Sequence, residues 1–493
     1  GHEWAPALRG WVGFGNTRGD DRRGPARLCP VSWSPSRGAD DEYPTMAWKT
    51  SRDCDPKICL SLTLIEVVKS VLAESSQLPN PRRMEIPMTN IVFIMTDNQG
   101  DWTLGCYGNE EIRTPNIDAL AAEGARCAHA YAVNSVCSPS RATFFTGLIP
   151  SQHGVHCYLG GEQPDAQMGD DAYCTVGEFV TLPQMLHDAG YRCGLAGKWH
   201  LGDSLTPQQG FDYWFTKPKG HTHTFYNAEA IWQGEVYEEP RYATDAITAH
   251  ALSFLDEVAG EGAGSGAGQE SDAEEPFFLF VGYNGPYGLG EHMTYTHENR
   301  HTSYYADKEL TCFPRESVHP WLRQNRDFID NPISMRGYAS AVSGVDDGVG
   351  AILASLEQKG LTQDTLVIFT ADQGLCGGHH GMWGMGDHSR PMPTFEETMR
   401  IPLIYRYPGH VGSGTVFDGR TCNYDFLPTV SDLLHLDATR PPNHPELPGV
   451  SYAQHLCGTT DDEWNEEEFF HEFESVRTVR TAQWKYTWRH PDG

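Results

Sequence analysis

Three short stretches carry side chains that could do chemistry together. Cys137-Ser138-Pro139-Ser140-Arg141 sets a thiol beside a proline that shapes a turn into a helix, with a guanidinium close behind. A helix N-terminus offers amide donors to an anion, and an arginine is charged at every accessible pH. Alone, such a cysteine is most simply a buried structural thiol. The other two stretches, Asp97-Asn98-Gln99-Gly100 and Asp372-Gln373-Gly374, each follow an apolar run. An isolated Asp in that place is most simply a turn or cap residue. Two such loops on one sheet could instead converge, because ligands of open α/β sheets collect at the carboxyl ends of strands.

The elements that must position these groups are legible in the hydrophobic pattern. Asn90 to Thr96, Pro276 to Val281 and Thr365 to Thr370 are mostly apolar runs of the kind that form buried parallel strands, and Ile401 to Tyr405 follows as a further one. Thr114 to Leu120 opens a helix with a threonine cap and a proline in the first position, and Gly124 ends it. Thr181 to Gly190 repeats that grammar. Val345 to Lys359 is an amphipathic helix closed by Gly360. Strands alternating with helices predict a doubly wound, mostly parallel α/β sheet flanked by helices. Glu257 to Glu275, rich in Gly, Ala, Glu and Ser, reads as a mobile surface loop. Residues 1–87 lack sustained periodicity and read as a poorly ordered or non-native extension, with Met84 and Met88 just ahead of the first convincing strand.

Composition narrows the function classes. A formal net charge of −30 argues against nucleic-acid backbones and anionic membranes as partners. Lysine is scarce among the 36 basic residues, which fits a salt-adapted surface as well as it fits an acidic enzyme from a GC-biased genome. An anionic substrate would need local positive charge to offset that field, so buried Arg and Lys gain interest. The 13 cysteines are scattered without a framework, so reduced, buried thiols are expected. No run approaches about 18 apolar residues, so no membrane insertion is expected. No secretory signal is visible, and a cytoplasmic location is expected.

The eleven residues from Cys137 to Gly147 resemble the signature of the sulfatase family, Cys-x-Pro-x-Arg with a downstream Thr-Gly. The resemblance runs from Asn90 to the end of the chain and implies an alkaline-phosphatase-like fold. Residues 88–440 would form its catalytic domain, and 441–493 would begin a small C-terminal antiparallel sheet, with Val476 to Arg489 a strand pair of it. In relatives that unit continues further, so the resemblance implies a truncated one here. It also implies that a maturation enzyme oxidises Cys137 to formylglycine. One hydroxyl of the hydrated aldehyde would attack a sulfate ester in line, and the second would lose its proton as sulfate is expelled. Arg141 would hold that nucleophile. Asp97, Asn98, Asp372 and Gln373, with Cys137, fall where the family holds its metal; their oxygens suit Ca²⁺ or Mg²⁺, which would polarise the sulfate. Gly197-Lys198-Trp199-His200-Leu201-Gly202 matches a further motif, whose Lys contacts a sulfate oxygen and whose His sits beside the nucleophile.

Four departures from the family pattern stand out. Asn98 replaces a second Asp, and Gln373 stands where Asn or His is usual. Asn284-Gly285-Pro286-Tyr287 matches a substrate-binding motif whose fourth residue is usually His, a sulfate contact and proton donor. A Lys often found near the position of Met385 is absent. The leaving-group acid must then come from elsewhere. His388 or His292 could supply it, with His388 the expected one because its loop lies beyond Asp372; His221 and His223 are weaker alternatives. The expected activity is hydrolysis of a small-molecule or glycan sulfate ester. Alternatives are a phosphomonoester or phosphonate ester hydrolase of the same superfamily, and a non-catalytic sulfate-ester binder. The His and Tyr content of Lys217 to Asn227 and Gly285 to Tyr305 suits a sugar ring.

Overall fold

The computed structural model describes residues 89–160, 167–263, 275–290, 298–436, 444–460, 462–464 and 469–490. The expectation for residues 1–87 lies outside them, as does His292.

The apolar runs form the central strands. β1 (Asn90–Asp97), α1 (Pro115–Glu123), β2 (Ala125–Tyr131) and α2 (Cys137–Thr146) come first in the chain. α3 (Leu182–Asp188), β3 (Arg192–Gly197), β4 (Tyr213–Thr216), β5 (Ala228–Trp232) and β6 (Glu235–Glu239) follow. Then come α4 (Ala243–Ala263), β7 (Phe277–Pro286), α5 (Pro332–Gln358) and β8 (Thr365–Ala371). β9 (Leu403–Arg406), β10 (Thr415–Cys422) and α6 (Phe426–Leu433) complete the large unit. β1 lies between β7 and β8, parallel to both, and β3 and β4 continue the parallel set beyond β7. β9 runs antiparallel to β8 and to β2, and β5 and β6 close the other edge as antiparallel strands. The sheet is therefore parallel at its centre and mixed at its edges, with helices on both faces.

β1 is buried on both faces, which is why its sequence is continuous rather than alternating. Val92 and Ile94 pack with α4 and α5 on one side, while Ile91, Phe93 and Met95 pack with α2 and α6 on the other. The Phe93 ring stacks on Phe426 at 4.8 Å and lies 5.9 Å from Phe144. Each such ring contributes about 1.5–3 kcal/mol when fully buried. This packing fixes the start of α2 against the carboxyl end of β1. A three-stranded antiparallel sheet, β11 (Phe469–Phe473), β12 (Val476–Arg480) and β13 (Lys485–Arg489), forms a small separate sheet.

Two expectations need correction. The helix expected to begin at Val345 starts at Pro332, capped by the Asn331 side chain on the Ile333 amide. Its first half is rich in Ser, Gly and Ala, which weakens the amphipathic signal but permits close packing. A Cβ on Gly344 would lie 2.9 Å from Asn299 Nδ2. The loop expected from Glu257 is helical as far as Ala263, because α4 carries its helix through that Gly/Ala stretch; 264–274 lie outside the described residues.

Candidate active site

Cys137 is the first residue of α2 and is 3 % exposed, at the carboxyl end of β1. Ser140, one turn on, donates from its hydroxyl to the Asp372 carbonyl and accepts from Asn423 Nδ2 at 3.0 Å. The helix start is thereby tied to the loop after β8. That loop is tied to the one after β1 by backbone: the Gln99 amide donates to the Gln373 carbonyl at 3.0 Å, and the Asn98 amide to Asp372 Oδ1 at 3.2 Å. Asn98 adopts φ 57°, a left-handed conformation that Asn tolerates better than most residues, and Tyr338 donates to its carbonyl at 2.7 Å.

Two cations face the two carboxylates, all four side chains fully buried. Lys198 Nζ lies 2.5 Å from Asp97 Oδ2, and Arg141 places Nε and Nη2 at 3.0 and 2.9 Å from Asp372 Oδ2. Arg141 Nη1 also donates to the Lys198 carbonyl at 2.8 Å. Burial alone would lower the Lys198 ammonium, but Asp97, with Cys137 and Asp372, holds it above its ordinary value. Burial and the nearby Asp97 charge push the Asp372 carboxyl up to about 6. Burial and Asp97 likewise push the Cys137 thiol up, so an unmodified Cys137 is a poor nucleophile here.

The same groups form a cation cradle. One ligand atom each of Asp97, Cys137 and Asp372 lies within 4.8 Å of the others. Gln373 Nε2 occupies the midst of the acceptors: it donates to Asn98 Oδ1, and lies 3.4 Å from both Asp97 Oδ1 and Cys137 Sγ and 3.7 Å from Met385 Sδ. A positive centre suits that spot. Gln373 Oε1 and Asn98 Nδ2 are buried without a hydrogen-bond partner among the described residues. Rotating the Gln373 amide would turn its oxygen into the cradle, giving an oxygen-rich set that fits a hard divalent cation.

His200, at φ 60°, sits on the other side of the nucleophile's loop. The Leu159 amide donates to Ser138 Oγ at 2.9 Å, and the Leu159 carbonyl lies 2.7 Å from His200 Nε2. A carbonyl only accepts, so the His200 proton is on Nε2 and Nδ1 keeps its lone pair. That Nδ1 is buried without a partner among the described residues. Burial and the neighbouring Lys198 hold this imidazole well below its usual pKa, so it is neutral. Gly220 lies against the ring: a Cβ there would fall 1.9 Å from Nε2.

The structure thus brings together Asp97, Asn98, Cys137, Arg141, Lys198, Asp372 and Gln373. Tyr287 joins them: its amide donates to the Asp97 carbonyl at 3.0 Å, and its ring centroid is 5.9 Å from Lys198 Nζ. Asn284 is buried at the end of β7, its Oδ1 without a partner among the described residues. His388 turns elsewhere, its ring 2.9 Å from Asn325 Nδ2 and 3.5 Å from Asp387 Oδ1. His221 instead lies 3.0 Å from the Tyr287 hydroxyl. Sequence reasoning missed Lys217, half-buried at the end of β4, which donates to the His221 carbonyl at 2.8 Å and to Thr222 Oγ1 at 2.9 Å. Its signal was a lone Lys two positions after the apolar run Tyr213-Trp214-Phe215, across Thr216.

Comparison with known proteins identifies the family. The Sulfatase family model matches residues 89–436. An N-acetylglucosamine-6-O-sulfatase from Bacteroides thetaiotaomicron is 28 % identical over 450 residues, covering 80 % of this chain and 76 % of that protein. Human arylsulfatase A is 30 % identical over 414 residues, covering 80 % and 74 %. Among solved structures, a protein in complex with its substrate D-glucosamine-2-N,6-O-disulfate superposes with a TM-score of 0.64 at 24 % identity, over 82 % of this chain and 90 % of that one. A phosphonate monoester hydrolase of Agrobacterium radiobacter shares the fold with a TM-score of 0.57 at 19 % identity, over 81 % and 87 %. The chain belongs to the sulfatase family and is a sulfuric ester hydrolase.

Proposed function

We propose that this protein hydrolyses sulfate esters of carbohydrates, with Cys137 matured to formylglycine by a dedicated enzyme and a divalent cation, Ca²⁺ or Mg²⁺, held by Asp97, Asn98, Asp372 and Gln373. The observation that carries this reading is the ring of groups around Cys137 Sγ. Asp97 Oδ1 lies 3.5 Å away and Gln373 Nε2 3.4 Å away, with the Lys198 and Arg141 cations directly behind the carboxylates. An aldehyde at this carbon, once hydrated, supplies the nucleophilic oxygen that the buried thiol does not. The cation, when bound, polarises the sulfate oxygens. Lys198 and Arg141 offset sulfate charge in a site shielded from water, where each interaction is strong. His200 Nδ1, the orphaned acceptor, takes the proton of the second hydroxyl as the sulfated hemiacetal collapses to aldehyde and sulfate. The carbohydrate leaning rests on the N-acetylglucosamine-6-O-sulfatase relative, on the neighbour bound to a sulfated glucosamine, and on the cluster of Tyr158, His221 and His223 rings next to His200.

The test co-expresses the chain with a formylglycine-generating enzyme and measures sulfate release from N-acetylglucosamine-6-sulfate and from 4-nitrophenyl sulfate. Phosphate release from 4-nitrophenyl phosphate runs in parallel. Preferred release of phosphate would favour the phosphoester reading that the shared fold allows. Binding of the sulfated sugar without turnover in matured protein would favour a non-catalytic binder.

A further inference from the structure

We propose that Lys217, the ammonium that holds the turn from Gly220 to His223, supplies the positive charge that sets how tightly the site binds an anionic ester. This role rests on the sulfatase reading above and concerns substrate affinity at that same site.

Charge balance singles the residue out. Arg141 is ion-paired with Asp372, and Lys198 with Asp97. Those two pairs are neutral in sum. Lys217 has no such partner: its Nζ donates to the His221 carbonyl at 2.8 Å and to Thr222 Oγ1 at 2.9 Å, and no ion pair to it occurs among the described residues. Both acceptors are neutral. Withdrawing an ammonium from water onto neutral partners is costly, because no counter-charge replaces the lost hydration. Burial first, and the Lys198 charge second, lower the Lys217 pKa to about 7. An anion bound nearby removes that penalty, and a neutral sugar does not. The cation left without a carboxylate therefore favours the sulfated form of the ligand.

The turn that Lys217 holds lies against the reacting centre. Gly220 packs on His200, where a Cβ would fall 1.9 Å from Nε2, and its amide donates to Gln167 Oε1 at 3.2 Å. The His221 ring lies 6.2 Å from the His200 ring and 4.8 Å from the Tyr158 ring. His200 follows Lys198 by two positions on the loop after β3, so one loop links this turn to the ion pairs around Cys137. Lys217 itself follows the last residue of β4, a strand hydrogen-bonded to β3, which fixes its stem. Lys198, Arg141, Asp97 and Cys137 are the charged and titratable groups that face it from other elements, and His221 faces it from its own turn. Lys217 is thus a positioning residue that also carries charge; the groups that handle the reacting atoms are the ones already described.

The experiment compares matured wild type with three variants. Lys217→Met keeps the stem and removes the charge, and Lys217→Arg keeps the charge. Lys219→Met removes the same charge from an exposed side chain two residues away. Assays run at about pH 6, below the Lys217 value, so that its ammonium is charged in wild type. Kinetics use 4-nitrophenyl sulfate, with N-acetylglucosamine as a neutral competitor. Calorimetry measures the Kd of inorganic sulfate on the unmatured protein. Lys217→Met should raise KM and the sulfate Kd about tenfold or more, the scale of one unit charge acting at short range in partly dried protein, while kcat stays within about threefold. The dependence of KM on ionic strength should weaken with it. Lys217→Arg should recover most of the loss, and Lys219→Met should behave as wild type. Inhibition by N-acetylglucosamine should not change in any variant. A fall in kcat at unchanged KM, equal losses for sulfate and for the neutral sugar, no recovery in Lys217→Arg, or an equal effect in Lys219→Met would each overturn the assignment. Wild type that binds sulfate as expected yet releases none from any ester after verified maturation would overturn the sulfate-ester reading, and the binding data would still decide the role of Lys217.

Discussion

Replacing Arg141 by Met should destabilise the fold by about 3–5 kcal/mol in the metal-free protein, the usual cost of stripping one partner from a fully buried ion pair. Both side chains are 0 % exposed, and Asp372 Oδ2 receives two guanidinium contacts, at 3.0 and 2.9 Å. Without them Asp372 keeps only the backbone amides of Asn98 and Gln373, at 3.2 and 2.9 Å to Oδ1. The Lys198 carbonyl also loses its 2.8 Å donor. With an unfolding entropy of about 2.1 cal/mol/K per residue over about 400 residues, the midpoint falls by about 4–6 °C. The assay is urea unfolding in EDTA, followed by tryptophan fluorescence. Arg141→Lys keeps the charge but not the fork and should fall between the two. The decisive control is Arg141→Met with Asp372→Asn. Removing both charges relieves the unpaired carboxylate, so the double variant should be more stable than Arg141→Met alone. A loss below about 1 kcal/mol for Arg141→Met, or simple addition in the double variant, would refute the claim that the pair is an interdependent buried unit.

Three further outcomes are expected from the packing and the charges of the site. His153 is buried and neutral, 3.1 Å from Thr143 Oγ1 through Nε2 and accepting from the Val155 amide through Nδ1; burial, with His156, lowers it to about 3. The unfolded chain therefore binds more protons between that value and the ordinary one, so stability contributed here is lost as pH falls below about 6.5. His153→Gln should flatten that part of the difference in urea midpoints between pH 7 and pH 5, and an unchanged slope would count against it. Gly197→Ala should cost at least about 2 kcal/mol, because φ is +115° and the new Cβ would lie 2.0 Å from the Gly282 carbonyl oxygen; a neutral effect on thermal unfolding would contradict the packing described. Calcium at about a hundred times its dissociation constant should stabilise wild type by about 2.7 kcal/mol. Asp97→Asn should abolish that shift in differential scanning fluorimetry, and retention of it would remove Asp97 from the ligand set.

Much of the scaffold was legible because burial on both faces leaves an unmistakable pattern. The run from Ile91 to Met95 has no polar residue to suggest any other role, and all five side chains are fully buried. The convergence of Asp97 and Asp372 was readable only as a possibility, since it depends on β1 and β8 being neighbours with their carboxyl ends aligned, Thr96 opposite Ala371. The start of α5 was hidden because Ser, Gly and Ala allow close contact without contributing hydrophobic periodicity. The partner of Tyr287 could not be read at all. His221 and Tyr287 are separated by 66 positions, and what joins them is a loop closure held by Lys217, a nonlocal event without a sequence signature. His388 was singled out by loop membership, which says nothing of side-chain direction; its ring is held by Asn325 and Asp387, and a Cβ on Gly384 would lie 2.2 Å from its Nδ1.

The most direct test of the central claim joins the mass of the peptide carrying Cys137 to turnover by the same sample. After co-expression with a maturation enzyme, that residue should have lost one sulfur and two hydrogens and gained one oxygen. Release of sulfate from N-acetylglucosamine-6-sulfate should scale with the converted fraction and vanish in Cys137→Ala. Sulfate release by fully unconverted protein at the same rate, or full conversion without release from any sulfate ester, would contradict the account.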